Sequence, residues 1–507
     1  MNSAGSKLAL AAALVALLAA PALAQKSKDT LRFPLADGES ILDPYLNPGV
    51  FNNTWEPSVW DSPLGFDSKN VRFMPQLAKS WSQPDPTSYE FELRDDIKWQ
   101  DGTPFSAEDM VYTLSYLIDP KVTLRYKSNW AWLKTVEKVG PNKVRLTSNY
   151  PAPDGMMWMT STSIFPKHLH EPLADKQAFG MKPVGTGPLK IVKIDKNTGI
   201  VAEKYTGFVA TPMKGPSGVG KVVAEPVPDA GTLVAKLLRG DIDLARDVPS
   251  DQAIALRDSG QFEITLSPPT LSYSFIGFPS KGAQNVKALG DIRVRQAIIR
   301  AIDRKAIVQA VYGDVGKGVQ PVEGLCDKAQ LGCGYTKLVP DYDPAAAKRL
   351  LAEAGYPDGF DVTISAATPK EATAVTGMLR AVGIRAGLRM TTLAQRVQFI
   401  NQGKVDIGYF GWSGGGLFEV SAQLVRHFLS NEYEDPQLVQ MAQAANTMMD
   451  DAERRKAVAK LMDYANDQAY LFPMSPIRVI FTHTHEVKLT ATDVRAGQIN
   501  PLEFSWK

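Results

Sequence analysis

Two distant segments share one construction, and this limits the fold more than any other feature of the chain. Residues 229–245 read Asp-Ala-Gly-Thr-Leu-Val-Ala-Lys-Leu-Leu-Arg-Gly-Asp-Ile-Asp-Leu-Ala. Residues 394–410 read Ala-Gln-Arg-Val-Gln-Phe-Ile-Asn-Gln-Gly-Lys-Val-Asp-Ile-Gly-Tyr-Phe. Each is an amphipathic helical stretch, a glycine (Gly240, Gly403) and a short apolar strand with an aspartate at the same offset (Asp243, Asp406). Glycine suits the left-handed backbone that ends a helix. A helix feeding a short strand is half of an α/β unit. One copy in each half predicts two α/β lobes of related construction. Ligands of open α/β sheets sit beyond the carboxyl ends of strands, so the residues after 405–410 are the first candidates for a site.

The stretch from Tyr89 to Tyr112 adds a second kind of unit. Tyr89, Phe91 and Leu93 alternate with Glu90, Glu92 and Arg94, the period of a half-buried strand. Asp101-Gly102 signals a turn, and Ser106 three before Asp109 opens a helix carrying Met110, Val111 and Leu114. Further on, Val294, Ile298 and Ile302 form one stripe of a helix expected over Asp291 to Tyr312. Asp343-Pro344 and Asp435-Pro436 begin two more helices, and Asp451 to Ala469 is another. Val479 to Val487 alternates as a late strand.

The N-terminus reads as a cleaved Sec-type signal peptide. Lys7 precedes an apolar run from Leu8 to Ala20, and Ala22-Leu23-Ala24 is a small-x-small cleavage site, with Gln25 as the mature start. The run falls short of the ~20 residues that a spanning helix needs. The residue directly after the cleavage site is Gln25 and not a cysteine, so no lipid attachment is expected. Removing 24 of 507 residues leaves a chain too long for one core, and two or three domains are expected. A net charge of +2 without basic tracts argues against nucleic acid or an anionic membrane as partner. The two cysteines, Cys326 and Cys333, lie in a glycine-rich loop. In an oxidising compartment a local disulfide is expected. The spacing is not Cys-x-x-Cys, and no further cysteine completes a zinc set.

Leu93-Arg-x-x-x-Lys-Trp-x-Asp-Gly-x-Pro-Phe-x-Ala-Glu-Asp109 closely resembles the signature of the family 5 extracytoplasmic solute-binding proteins of ABC importers, the peptide-type family. Val184-Gly-Thr-Gly-Pro188, Asp291 to Arg304, Tyr342 to Tyr356 and Phe410-Gly-Trp412 match in the same order. The resemblance implies a type II periplasmic-binding fold, α/β, with two lobes joined by two crossover strands and an additional domain inserted in the first lobe. The expected division is 1–24 signal peptide, 25–60 first lobe, 61–183 inserted domain, 184–270 first lobe, 271–480 second lobe and 481–507 first lobe. Crossovers are expected near 268–280 and 474–484. The implied function is to hold a peptide or other small polar solute and deliver it to the permease subunits of an inner-membrane transporter. The implied protein is a periplasmic monomer without cofactor.

Trp412 is the leading ligand contact, because a flat aromatic at a strand's carboxyl end can stack on a solute. Sequence alone favours a packed core tryptophan, and the matching family position turns the reading to contact. Gly411, Ser413, Gly414 and Gly415 could bring backbone polar groups close. On the first lobe, Glu39 and Ser40 in Asp37-Gly-Glu-Ser40 match the family's ligand-facing loop. Peptide-binding members carry an aspartate for the α-ammonium three residues after the tryptophan. Gly415 stands there in this chain, and Glu419 is close in sequence. A buried ammonium without an acidic partner is costly, so a sugar, an opine-like compound or a modified peptide stays open beside ordinary peptides.

Two other readings carry residues of their own. Gly411-Trp-Ser-Gly-Gly415 fits the nucleophile elbow of an α/β serine hydrolase, with Ser413 followed in order by Asp435 and His483 or His485. Three glycines after Ser413 are a poor helix start, and no oxyanion motif precedes them, so no enzyme is expected. Some family relatives carry nickel, and His168-x-His170 and His483-x-His485 would pair imidazoles on a strand face if extended. Exposed or locally bonded histidines are the favoured reading, with no metal.

Overall fold

Leu31, Phe33 and Leu35 alternate with polar or half-buried neighbours, and the first strand, β1 (Thr30–Leu35), buries that apolar side. The computed structural model describes residues 29–507 apart from 36–40, 47–51, 68, 125, 247, 269–271, 281–284, 329, 393–394, 396–397, 401, 413–419, 421–424, 430–431 and 491–498. Helix α1 (Asn52–Val59) lays Trp55 against Phe33, with ring centroids 6.1 Å apart. A hairpin of β2 (Leu64–Asp67) and β3 (Arg72–Pro75) follows. Strands β4 (Ala78–Asp85), β5 (Ser88–Leu93), β6 (Leu133–Gly140) and β7 (Lys143–Ser148) form an antiparallel sheet in the order β4-β5-β7-β6, against which α2 (Ala107–Ile118) packs. The chain then returns to β1 through β8 (Leu189–Asp195), β9 (Gly199–Lys204) and β10 (Lys221–Pro226). That sheet has the order β1-β10-β9-β8, and β10 runs parallel to β1.

The first helix–glycine–strand unit is present as read. Helix α3 (Ala230–Arg239) ends at Gly240 with φ 72°, and β11 (Leu244–Arg246) follows. Strand β12 (Phe262–Leu266) leads into a second sheet system built from β13 (Tyr273–Gly277), β14 (Asp361–Ala366), β15 (Arg385–Met390), β16 (Ile407–Trp412) and β17 (Leu471–Pro476), in the order β15-β14-β16-β13-β17. Around it lie α4 (Ile292–Arg300), α5 (Arg304–Tyr312), α6 (Pro344–Glu353), α7 (Pro369–Ala381), α8 (Pro436–Thr447) and α9 (Asp451–Asp467). The chain finally returns as β18 (Ile480–Thr484), sandwiched between β11 and β12, and pairs β19 (Val487–Leu489) with β20 (Phe504–Trp506). Two corrections to the sequence reading follow. The helix expected over 291–312 is two helices, because the Asp303 carboxylate accepts from the Lys305 and Ala306 N–H groups and starts a new one. The late strand is likewise two short strands. The disulfide between Cys326 and Cys333 is present in the α5–α6 connection.

The two copies of the repeated aspartate do the same job. The Asp243 carboxylate accepts from the Arg32 N–H at 2.9 Å, and the Asp406 carboxylate accepts from the Thr363 N–H at 3.0 Å. Each thus ties the start of its strand to a neighbouring strand, β1 in one lobe and β14 in the other. Asp243 does more: it also pairs with the Arg32 guanidinium at 2.6 Å.

One continuous buried cluster runs from Leu31 through Phe91, Trp132 and Phe165 to Phe504, so the segment 61–183 has no separate core. A second cluster fills the other lobe, around Ile298, Ile364, Ile407 and Leu461. Asp61 explains the fusion of the inserted segment with the first lobe. Its buried carboxylate accepts from Lys214 Nζ at 2.6 Å, Thr186 Oγ1 at 2.6 Å and Gln76 Nε2 at 2.8 Å. The Gly-Thr-Gly motif lies directly on α1: a Cβ on Gly185 would sit 1.7 Å from the Val59 carbonyl oxygen. Gln100, from the signature after β5, reaches the same place and donates to the Gly187 and Leu189 carbonyls at 2.9 Å. Two motifs far apart in sequence therefore form one joint.

Two predictions concern stability. Asp243→Ala should cost roughly 3 kcal/mol by leaving a partly buried guanidinium unpaired, and Asp406→Ala about 1–2 kcal/mol by orphaning one N–H. Equal losses in chemical denaturation would show that the ion pair adds nothing. The second concerns His170, fully enclosed (0% exposed) by the rings of Tyr112, Tyr116, Phe165 and Phe179 at 4.8 to 5.6 Å. Burial, helped by the charge of Lys176, lowers its pKa to about 4. The unfolded chain then binds the proton first, so stability present above pH 6.5 is lost as pH falls towards 4, by about 3 kcal/mol. His170→Phe should flatten that part of the stability–pH profile relative to the parent, and a profile of unchanged slope would contradict it.

Candidate ligand-binding cleft

Strand directions place the site. β14 and β16 are parallel neighbours, with Ala366 opposite Tyr409, so their carboxyl ends share one edge of the sheet. β13 is antiparallel to both β16 and β17, with Tyr273 opposite Trp412 and Pro476. The start of β13 and the end of β17 therefore lie at that same edge. Ser272 and Ile477, the described residues that flank β13 and β17 towards the first lobe, lie at this edge, with 269–271 outside the described residues. On the first-lobe side, Leu266 faces Ile480 and Arg246 faces Phe481, so β11 and β12 also end towards these connections. The carboxyl edges of the two sheets face each other across the crossovers, which is where α/β sheets bind ligands.

The two crossovers are bonded to each other. Ser267 N–H donates to the Val479 carbonyl at 2.8 Å, Val479 N–H to Ser267 Oγ at 3.0 Å, and Ile477 N–H to the Ser272 carbonyl at 2.8 Å. The Arg478 guanidinium donates through Nε to the Ser267 carbonyl at 2.7 Å. Tyr312, at the end of α5, accepts from the Arg478 N–H at 2.9 Å and donates to the Pro476 carbonyl. Burial raises the Tyr312 pKa, which keeps the hydroxyl protonated. Val308 and Tyr312 pack with Ile480 and, beside it, Ile264 and Leu266, so a second-lobe helix touches first-lobe strands at this point.

Of the residues singled out from sequence, Trp412 is the last residue of β16, at the carboxyl edge. Gly411 precedes it, opposite Ser274, and a Cβ there would come within 3.2 Å of Ile477 Cδ1 in the second crossover. Ser413, Gly414, Gly415, Glu419, Glu39 and Ser40 lie outside the described residues. The sequence reading missed what its neighbours contribute at this edge. Tyr409 Oη donates to Ser274 Oγ at 3.0 Å, and Ser274 Oγ also accepts from the Ser475 N–H at 3.2 Å. Glu371 enters from α7, which follows β14. The signal for it was the Thr-Pro-Lys-Glu run after a second parallel strand, which reading β16 alone passes over. An open cavity of ≈ 430 Å³ is lined by Asn285, Arg389, Phe399, Lys404 and Asp406, the last two just before the start of β16.

The hydrolase partners are engaged elsewhere. The Asp435 carboxylate starts α8 and accepts from the Tyr464 and Tyr470 hydroxyls at 2.8 Å. His483 Nδ1 faces the Thr484 carbonyl at 2.9 Å and Nε2 the Thr265 hydroxyl at 2.8 Å, an arrangement that suits a neutral ring. Burial lowers its pKa accordingly. His485 pairs with Glu263 at 2.9 Å. His168 and His170 are not on a strand: they belong to a one-turn helix, Lys167–His170, and point to different partners. His168 pairs with Asp101 at 2.7 Å, and His170 Nδ1 meets the Tyr112 hydroxyl at 2.6 Å. Among the described residues no group of three His, Cys, Asp or Glu side chains could hold a metal ion.

Comparison with known proteins agrees with this architecture. A family model described as bacterial extracellular solute-binding proteins, family 5 Middle, matches residues 72–435. Heme-binding protein A of Haemophilus influenzae is 28% identical over 401 residues, 72% of this chain and 71% of that protein. Glutathione-binding protein GsiB of Escherichia coli K12 is 27% identical over 426 residues, 81% and 80% of the two chains. The structure of the ABC transporter-associated periplasmic binding protein DppA of Helicobacter pylori, in complex with peptide STSA, superposes with a TM-score of 0.76 at 22% identity. It covers 94% of this chain and 98% of that one, a likeness of fold. The chain has the type II periplasmic-binding fold and belongs to the family 5 bacterial extracellular solute-binding proteins.

Proposed function

We propose that the chain captures a peptide or other small polar solute between its two lobes and hands it to the permease of an ABC importer. One observation carries this reading: both crossovers leave the second-lobe sheet at the edge where β14 and β16 end. Bending at the crossovers then closes the first lobe over that edge. Trp412, Gly411, Ser413, Gly414 and Gly415 form one wall in this reading, and Glu39 and Ser40 the other. Lobes at 25–60, 184–270 and 481–507 on one side and 271–480 on the other, with 61–183 as a fused extension of the first, fit the distribution of sheets. Among the described residues no helix is long and apolar enough to cross a membrane. A cleaved signal over 1–24, a periplasmic monomer and no catalytic activity complete the reading. The relatives named for heme and glutathione, and the peptide in the DppA complex, span the kinds of solute that this scaffold holds.

Mass spectrometry of solute released from the purified protein by denaturation tests the reading, and the solute found there is then used in calorimetry. Trp412→Ala should weaken its binding by about 2 kcal/mol or more, roughly thirtyfold, with the fold retained. An unchanged Kd would remove Trp412 from the site.

A further inference from the structure

We infer that Glu371 is the carboxylate that receives a cationic group of the ligand, an ammonium or a guanidinium, on the second-lobe wall of the cleft. This rests on the cleft reading above and adds the chemical class of the solute. The residue is fixed in place by its helix. Pro369 sets the first turn of α7 immediately after β14, and Glu371 is the third helical residue. Thr368, Pro369 and Lys370 are exposed, but Glu371 is half-buried. Because β14 ends at the edge from which both crossovers leave, α7 begins at the mouth of the cleft.

Its surroundings leave the carboxylate unsatisfied. α7 packs against α5, which brings Glu371 within electrostatic reach of two tyrosine hydroxyls, Tyr312 and Tyr409. Burial is the main cause that raises both hydroxyls' pKa, and the charge of Glu371 adds to it. Neither hydroxyl proton is free for the carboxylate. Tyr409 donates to Ser274 Oγ at 3.0 Å, and Tyr312 donates to the Pro476 carbonyl. The guanidinium of Arg478, whose backbone N–H meets the Tyr312 hydroxyl, is turned to the Ser267 carbonyl. Among the described residues Glu371 has no hydrogen bond and no ion pair. A half-buried carboxylate costs free energy until a donor meets it, and its helix starts at the edge from which the crossovers leave. A ligand cation placed between the carboxylate and the crossovers would remove that cost on closure, so charge selection and closure become one event.

A first-turn acid also stabilises its helix through the helix dipole, and the test separates the two roles. The protein is unfolded, freed of solute and refolded, then titrated calorimetrically with glutathione and Ala-Ala-Ala and with the N-acetylated form of each. In parallel, the solute that co-purifies with the parent and with Glu371→Gln is identified by mass spectrometry. The expected results are a co-purified solute with a cationic group, its depletion in Glu371→Gln, and at least a tenfold loss of affinity in that variant for any amine-bearing probe that binds the parent. Glu371→Asp should recover part of the loss, and N-acetylation should weaken parent binding while removing the effect of Glu371→Gln. Equal Kd values or equal solute retention in parent and Glu371→Gln, or a co-purified solute without a cationic group, would overturn the inference and leave the cleft reading standing. A lower melting temperature without a change in selectivity would assign Glu371 to the helix alone. If neither parent nor variants carry a solute or bind any probe, the cleft reading fails and this inference with it.

Discussion

The pairing of the two crossover segments is the constraint on which the rest of the molecule depends. Each lobe has its own core, yet the chain passes between them twice, and the passages are hydrogen-bonded side by side through Ser267 with Val479 and Ser272 with Ile477. A single connection would let the lobes swing and twist freely. In the reading proposed above, two bonded connections would confine the motion to bending about one axis, the hinge type of closure for which periplasmic binding proteins are a standard example. Arg478 and Tyr312 strengthen the pairing from the side, and Gly411 leaves room for Ile477 at the mouth. In the same reading, the ligand-facing edge and the hinge are one piece of structure.

The first lobe must be rigid for such bending to act on a ligand, and it is large because 61–183 is welded to it. The weld is chemical as well as apolar. Asp61 gathers Lys214, Thr186 and Gln76 around one buried carboxylate, and the close approach of Gly185 to Val59 excludes any side chain there. Removing one partner of such a buried charge would leave another unpaired, so the inserted segment and the lobe stay together as one body.

Much of the architecture was legible from sequence because it rests on local rules. The alternation in Tyr89–Leu93, the Ser106–Asp109 helix start and the glycine stops at Gly240 and Gly403 are decided within a few residues, and all are found. The repeated Asp243 and Asp406 were visible as a pattern, but their common partner, a neighbouring strand's N–H, is a tertiary fact. Local rules also misled. The apolar stripe from Val294 to Ile302 continues across Asp303, and periodicity does not register that an aspartate side chain can restart a helix. His168 and His170 share a strand face only if extended, and the chain is helical there. The candidate edge was legible only where one strand ended: the sequence put Trp412 at the end of a strand, and β16 ends there, but Glu371, Tyr312 and Ser274 belong to three other elements that meet this edge. No spacing in the sequence announces that meeting.

The central claim is that a solute draws the lobes together about the crossovers, and small-angle scattering tests it most directly. Protein stripped of solute and protein saturated with the solute that co-purifies with it should differ, with a smaller radius of gyration in the loaded form. Superimposable profiles at saturation would contradict closure about residues 267–272 and 477–479.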